Sequence, residues 1–249
     1  MKVSIITVCY NAASTIESAI QSVLGQDYKD IEYIIVDGKS TDGTSSIIKK
    51  YNDRISKFIS EKDQGMYFAL NKGIKLATGD IIGILHADDF YSNEKIIFRI
   101  VKEFESKNTD SIYGDLQYVS RNNTQKIIRN WKSKSYNSTL FLKGWMPPHP
   151  AFFVKRECYE QFGSFNTSFS ISADYELMLR FLYKHKISSS YIQDVLVKMR
   201  TGGISNVTIK SRIVANREDR LAWKINGMKP SQLTLLRKPF SKLRQFFNK

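Results

Sequence analysis

Cysteine is scarce in this chain of 249 residues: Cys9 and Cys158 are the only two, and they form no C-x-x-C pair. That excludes a disulfide framework and a thiolate metal site, and it fits a reducing compartment. Long apolar runs are missing as well. None approaches the roughly 20 residues that span a bilayer. The stretch from Lys2 to Cys9 is too short for a secretory signal and lacks a small-residue cleavage site. The expectation is a protein that stays inside the cell. Acid is missing from one region only. From Leu221 onward there is none, and from Ser190 onward 13 Lys and Arg face Asp194, Glu218 and Asp219 alone, within a net charge of +14. So one-sided a tail wants a polyanion, either nucleic acid or an anionic lipid surface.

What is present alternates short apolar runs with amphipathic ones. Val3–Cys9, Ile31–Asp37, 58–60 and 80–86 are rich in Ile and Val and continuously apolar, as strands of a parallel sheet covered on both faces are. Ile16, Ala19, Ile20, Val23 and Leu24 recur at helical spacing, with Asn11 or Ser14 as caps. Further helices are expected after Thr41, through 69–76 and over 93–107. The second half predicts strands at Ser111–Val119, 126–131 and 191–200, and helices at Arg156–Phe162, 173–185 and 208–225. The class is α/β, with a doubly wound pattern in the first half.

In an open parallel sheet, ligands bind beyond the carboxyl ends of the strands. Asp37 ends one predicted strand and Asp88-Asp89 follows another. A lone acid there is commonly a cap. Two adjacent carboxylates repel unless a cation or donor lies between them, and their oxygens suit Mg²⁺ or Mn²⁺. Phosphate loops are excluded. Gly38-Lys39-Ser40 has Tyr33 where a P-loop requires its first glycine, and there is no G-x-G-x-x-G.

The segments Val3-Ser4-Ile5-Ile6-Thr7-Val8-Cys9-Tyr10-Asn11, Val36-Asp37-Gly38-Lys39-Ser40-Thr41-Asp42-Gly43, Asp63-Gln64-Gly65-Met66-Tyr67, Asn71-Lys72-Gly73, His86-Ala87-Asp88-Asp89, His149-Pro150-Ala151-Phe152 and Ser172-Ala173-Asp174-Tyr175-Glu176 occur in this order. Together they resemble family 2 glycosyltransferases, and among those the subgroup that builds bacterial surface polysaccharides such as capsule, O-antigen and colanic acid. The resemblance implies a GT-A fold, Rossmann-like, with a mostly parallel central sheet. It implies a catalytic domain over 1–226, nucleotide-binding in 1–110 and acceptor-binding in 111–226. Thr7, Tyr10, Asp37, Asn71 and Asp88 are then expected at the nucleotide-sugar, with Asp37 accepting from the uracil of a UDP-linked donor. Asp88 and Asp89 are expected at Mn²⁺ or Mg²⁺, which would neutralise the departing diphosphate. Asp174 is expected to be the general base of an inverting transfer to an acceptor hydroxyl, as on a lipid-linked saccharide.

The chain departs from the family pattern at Gly38, where more general relatives carry an acid, at Lys39, and at His86, the first position of the DXD-type motif. These changes leave base preference and metal geometry open. His86 reads best as a bystander. His149, between two prolines, is a candidate for the diphosphate or acceptor, although a lone histidine is more often structural. Trp131, Trp145 and Tyr175 read as core. Gly202-Gly203 suits a loop that closes over the donor, or an ordinary turn. Residues 227–249 set Leu233, Leu236, Phe240, Leu243 and Phe247 among lysines and arginines, with Pro239 breaking the helix. Such a tail suits the inner face of the cytoplasmic membrane, or packs on the catalytic domain or on a second subunit of a homodimer. A sugar-nucleotide nucleotidyltransferase and a basic nucleic-acid-binding protein remain the alternatives. The first lacks its glycine-rich loop after the opening strand, and the second leaves acids at strand ends unexplained.

Overall fold

The computed structural model describes residues 1–202 and 209–229. The expectations for 203–208 and for the tail beyond 229 lie outside the described residues. The first half contains strands β1 (Val3–Cys9), β2 (Ile31–Asp37), β3 (Lys57–Ser60), β4 (Ile81–Ile84) and β5 (Asp89–Tyr91), with helices α1 (Ile16–Leu24), α2 (Thr44–Lys49), α3 (Met66–Leu76) and α4 (Ile96–Lys107). The second half adds β6 (Ser111–Val119), β7 (Ile127–Trp131), β8 (Phe152–Lys155) and β9 (Ser189–Arg200). Its helices are α5 (Thr139–Leu142), α6 (Arg156–Phe162), α7 (Ala173–Met178) and α8 (Ile209–Ile225). Among the described residues all nine strands join one sheet in the order β3-β2-β1-β4-β8-β6-β9-β5, and β7 pairs with β6.

Strands β3, β2, β1 and β4 run parallel. All seven residues of β1 are buried, as continuous apolarity demands of a strand covered on both faces. Helix α3 packs on β1 and β2, and α4 packs on β6 and β9. The register decides where the site forms. Cys9 stands opposite Asp37, so β1 and β2 end level, while β4 ends at Ile84 opposite Ile6 and leaves the 85–89 turn beside them. Antiparallel β8 then enters beside β4 with Phe153 opposite Gly83. The turn His149–Ala151 that leads into β8 therefore arrives at the same edge. Gly83 permits this closeness, since a Cβ there would collide with the Phe153 ring. On the far side, β9 runs parallel to β6 and antiparallel to β5, with Asp89 opposite Met199. This pairing carries Arg200 to the acids.

Several local expectations are corrected. Helix α1 is preceded by Thr15 with no side-chain cap. Asn11, in a left-handed conformation, instead accepts from the Thr41 amide, and its own amide donates to Ser40. The strand expected over 80–86 stops at Ile84, because the chain turns so that the Asp89 amide donates to the His86 carbonyl. The helix expected over 173–185 is α-helical only to Met178 and continues as a π-helical turn, Leu179–Lys184. Strand β5 and helix α5, of three and four residues, are too short to carry a periodic signal. Trp131 and Tyr175 are buried, and Trp145 sits among Tyr113, Tyr136 and Phe141, so all three aromatics pack in the core.

Helix α8 buries Asp219, Ala222 and Trp223, and Asn226 just after it is buried too. Its other acid, Glu218, accepts from the backbone amides of Ser170, Ile171 and Ser172. Both acids thus turn inward. The outer face shows Ile213, Leu221 and Ile225, each 41–50% exposed, with Arg217, Arg220 and Lys224 between them.

Candidate active site at the strand ends

Tyr10 follows β1 and is 67% exposed, an unusual position for a tyrosine ring beside a sheet. Gly38 lies against it, and a Cβ at Gly38 would stand 3.3 Å from the Tyr10 ring. Asp37, immediately before Gly38, is fully buried. Its oxygens accept from the hydroxyls of Ser40, Ser45 (2.8 Å) and Ser60 (2.6 Å) and from the Ser40 amide. Burial raises the proton affinity of this carboxyl, but the Ser40, Ser60 and Ser45 hydroxyls outweigh it and hold the group below the usual carboxylate range. Burial, then the charge of Asp37, pushes the neighbouring Cys9 thiol far up, so that residue is chemically inert. The Asp37 oxygens thus serve the turn that supports Tyr10.

Thr7 and Asn71 also make hydrogen bonds within the chain. Thr7 is fully buried, with its hydroxyl 3.1 Å from that of Tyr33. The Asn71 amide group clamps Phe165 at both ends, donating to its carbonyl (2.8 Å) and accepting from its amide (2.9 Å). Asn71 therefore fixes the loop that precedes α7 against α3.

The acids divide in two. Asp88 is half-buried in the turn before β5, and among the described residues no side chain or amide is hydrogen-bonded to its carboxylate. Asp89 is fully buried in β5, and neither oxygen makes a hydrogen bond of full geometry. Burial and then the charge of Asp88 raise the Asp89 carboxyl well above its usual range, while the Arg200 guanidinium and backbone amide draw it back. Arg200 donates to the Asp88 carbonyl at 2.9 Å and lies over the Phe90 ring. It was not anticipated. The only signal was a lone arginine closing an apolar strand just before Gly202. Among the described residues, no three His, Cys, Asp or Glu side chains converge as a complete cation cage. Two carboxylates without full hydrogen bonding still fit a hard divalent ion that keeps most of its shell for phosphate oxygens and water.

Across the same edge, Asp174 opens α7 and meets His149. Oδ2 lies 3.1 Å from Nδ1, with both side chains between a fifth and a third exposed. The His149 ring meets His86 edge-on at 5.7 Å. Burial, then the charge of His149, pushes His86 down to about 4 against the opposing pull of Asp88 and Asp174. The Tyr67 hydroxyl donates to the Ile171 carbonyl at 2.6 Å and sits against the amides of Ala173 and Asp174, fixing the start of α7. The structure thus gathers Tyr10, Asp88, Asp89, His86, His149 and Asp174 at one edge, with Thr7, Asp37 and Asn71 hydrogen-bonded within the chain.

An open α/β sheet with paired acids and a carboxylate base candidate beyond its strand ends is the arrangement of a GT-A-type transferase. Residues 4–163 match the glycosyl transferase family 2 domain, and the chain belongs to that family, whose members transfer sugar from nucleotide-sugars. This sets aside the nucleotidyltransferase and nucleic-acid-binding alternatives. A PGL/p-HBAD biosynthesis glycosyltransferase of Mycobacterium bovis is 28% identical over 211 residues, 83% of this chain and 80% of its own. An uncharacterised glycosyltransferase of Rickettsia typhi is 32% identical over 205 residues, 80% of this chain and 63% of its own. Among solved structures, S. aureus TarS 1–349 in complex with UDP-GlcNAc superposes with a TM-score of 0.71 at 16% identity, over 91% of this chain and 65% of that one. A Pyrobaculum calidifontis mannosyltransferase in complex with GDP-Man and Mn²⁺ superposes with a TM-score of 0.67 at 21% identity, over 98% and 70%. These two likenesses establish the GT-A fold. No helix among the described residues is long and apolar enough to cross a membrane.

Proposed function

We propose that this enzyme is a metal-dependent inverting hexosyl- or N-acetylhexosaminyltransferase. Its donor is a UDP-sugar, and its acceptor a hydroxyl of a lipid-linked saccharide in surface-polysaccharide assembly. The observation that carries this reading is the convergence of an exposed tyrosine, two acids lacking full hydrogen bonding and a partly exposed carboxylate on one sheet edge. The Tyr10 ring offers its face to the nucleobase, on the turn that Asp37 stabilises. Asp88, backed by Asp89, holds the Mn²⁺ or Mg²⁺, which when bound neutralises charge on the leaving diphosphate. Arg200 adds a fixed positive charge beside it. Asp174 removes the proton of the acceptor hydroxyl as its oxygen attacks the anomeric carbon. The bond from that carbon to the β-phosphate oxygen breaks, the nucleoside diphosphate leaves with the electron pair, and a single in-line attack inverts the centre. UDP is favoured by the likeness to a protein solved with UDP-GlcNAc, while GDP remains the comparison to run. The cationic, acid-free face of α8 supports a peripheral position on the inner face of the cell membrane.

Calorimetric titration with UDP-, GDP- and dTDP-sugars, with Mn²⁺ or EDTA, tests the donor site. One nucleotide should bind in a metal-dependent way. Asp88→Ala should remove that dependence, and Asp174→Asn should retain binding while abolishing transfer. Folded protein that binds none of the three would overturn the reading.

A further inference from the structure

We propose that His149 is a positioning residue for Asp174: its Nδ1–H is donated to Oδ2, which turns Oδ1 toward the acceptor hydroxyl. This rests on the assignment of Asp174 as the base. The two residues come from different elements 25 positions apart, yet Nδ1 and Oδ2 are 3.1 Å apart, within hydrogen-bond range. His149 is well placed to hold another group still. Pro148 and Pro150 flank it, each with a ring-locked φ, and buried Pro150 and Ala151 anchor the turn as β8 begins. The His86 ring bounds it on a second side.

Asp174 needs such a partner. Tyr67 fixes its backbone, but among the described residues no other side chain is hydrogen-bonded to its carboxylate. Left alone, a carboxylate on the first turn of a helix samples several χ1 and χ2 wells and swings toward the free amides of that turn. Holding one oxygen selects the rotamer and leaves the other to act. An imidazole N–H does this with one donor and without the fixed positive charge of a lysine or arginine. His149 also connects two halves of the site. It touches Asp174 on one side and, through His86, the turn that bears Asp88 on the other, so the base is set at a fixed distance from the metal-binding acids. A role in the diphosphate contact would use the other nitrogen and would appear in donor binding.

The two nitrogens can be separated by isosteres. Asparagine places its amide nitrogen near Nδ1, and glutamine near Nε2. In the full-length protein, His149→Ala should lower kcat about 10- to 100-fold, the loss expected when a reacting group is misplaced by an ångström. Donor KM should stay within about 2-fold of the wild type. His149→Asn should recover most of the lost kcat and His149→Gln little. Asparagine that performs no better than alanine, or a variant that raises donor KM at unchanged kcat, overturns the proposal. A readout independent of turnover comes from long-range ¹H–¹⁵N spectra, since the chain has only three histidines. At about pH 8, His149 should carry its proton on Nδ1 in the wild type and lose that preference in Asp174→Ala. An Nε2–H tautomer in the wild type refutes the pairing whether or not transfer is detected. Failure of the wild type to use any nucleotide-sugar refutes the function and leaves the spectra to decide the pair.

Discussion

Asp37 is a carboxylate enclosed by its own chain, with three serine hydroxyls and an amide converging on two oxygens. Removing the acceptor leaves those donors buried and unmatched. Asp37→Ala should therefore cost about 2–4 kcal/mol of stability, and nucleotide affinity should fall as the Gly38 turn loosens under Tyr10. Chemical denaturation and nucleotide titration check both, and a variant as stable as the wild type would show the network to be dispensable. That Asp37 stands at a strand end was legible in the sequence, because an acid closes an apolar run there. Its role was not, since Ser40, Ser45 and Ser60 lie 3, 8 and 23 residues on and only the fold brings them together. Thr7 and Asn71 repeat this pattern. The positions of Asp88 after a strand and of Asp174 at a helix start were legible, whereas the His149–Asp174 contact and Arg200 depended on long-range pairing that no local motif encodes.

At the level of elements, the pairing of β1 with β2 is pinned by Glu32. Almost fully buried, it accepts from Ser4 at 2.6 Å and from the Thr78 amide at 2.7 Å, with the Lys57 ammonium 3.1 Å away. Burial alone would raise its proton affinity. The Ser4 hydroxyl, the Thr78 amide and hydroxyl and Lys57 overcome that and bring Glu32 down to about 2. Since the folded value is depressed, its stabilisation is present above the unfolded value of about 4.3 and disappears as pH falls toward 2. Denaturation midpoints measured across that window should drop steeply in the wild type and less in Glu32→Gln, which should already be weaker at neutral pH by about 2 kcal/mol. The parallel half of the sheet was readable because its strands are continuously apolar. Strand β5 was not, because three residues beginning with Asp89 become a strand only through pairing with β9. The helix starting at Ala173 was read too long as an α-helix, since the apolar spacing of Phe181 and Leu182 does not distinguish the π-helical turn.

For the whole molecule, the charge of +14 matters through where it is displayed. Helix α8 turns Glu218 and Asp219 inward and offers Ile213, Arg217, Arg220, Leu221, Lys224 and Ile225 outward. Self-pairing through this face would oppose like charges, whereas an anionic bilayer accepts both cations and aliphatic side chains. Sedimentation with phosphatidylglycerol vesicles should therefore be salt-sensitive, and the full chain carrying Leu221→Glu with Ile225→Glu should bind several-fold less. Unchanged binding by that double variant would remove α8 from the membrane contact.

The sheet order also has a consequence in time. Arg200 closes β9, whose partners β6 and β5 were synthesised roughly a hundred residues earlier, and it reaches back to the Asp88 carbonyl. A chain still emerging from the ribosome holds the residues of β1 to β4 and Tyr10 before it holds Asp174 of α7 or Arg200 of β9. This edge of the sheet is therefore completed last, by the part of the chain made after β8.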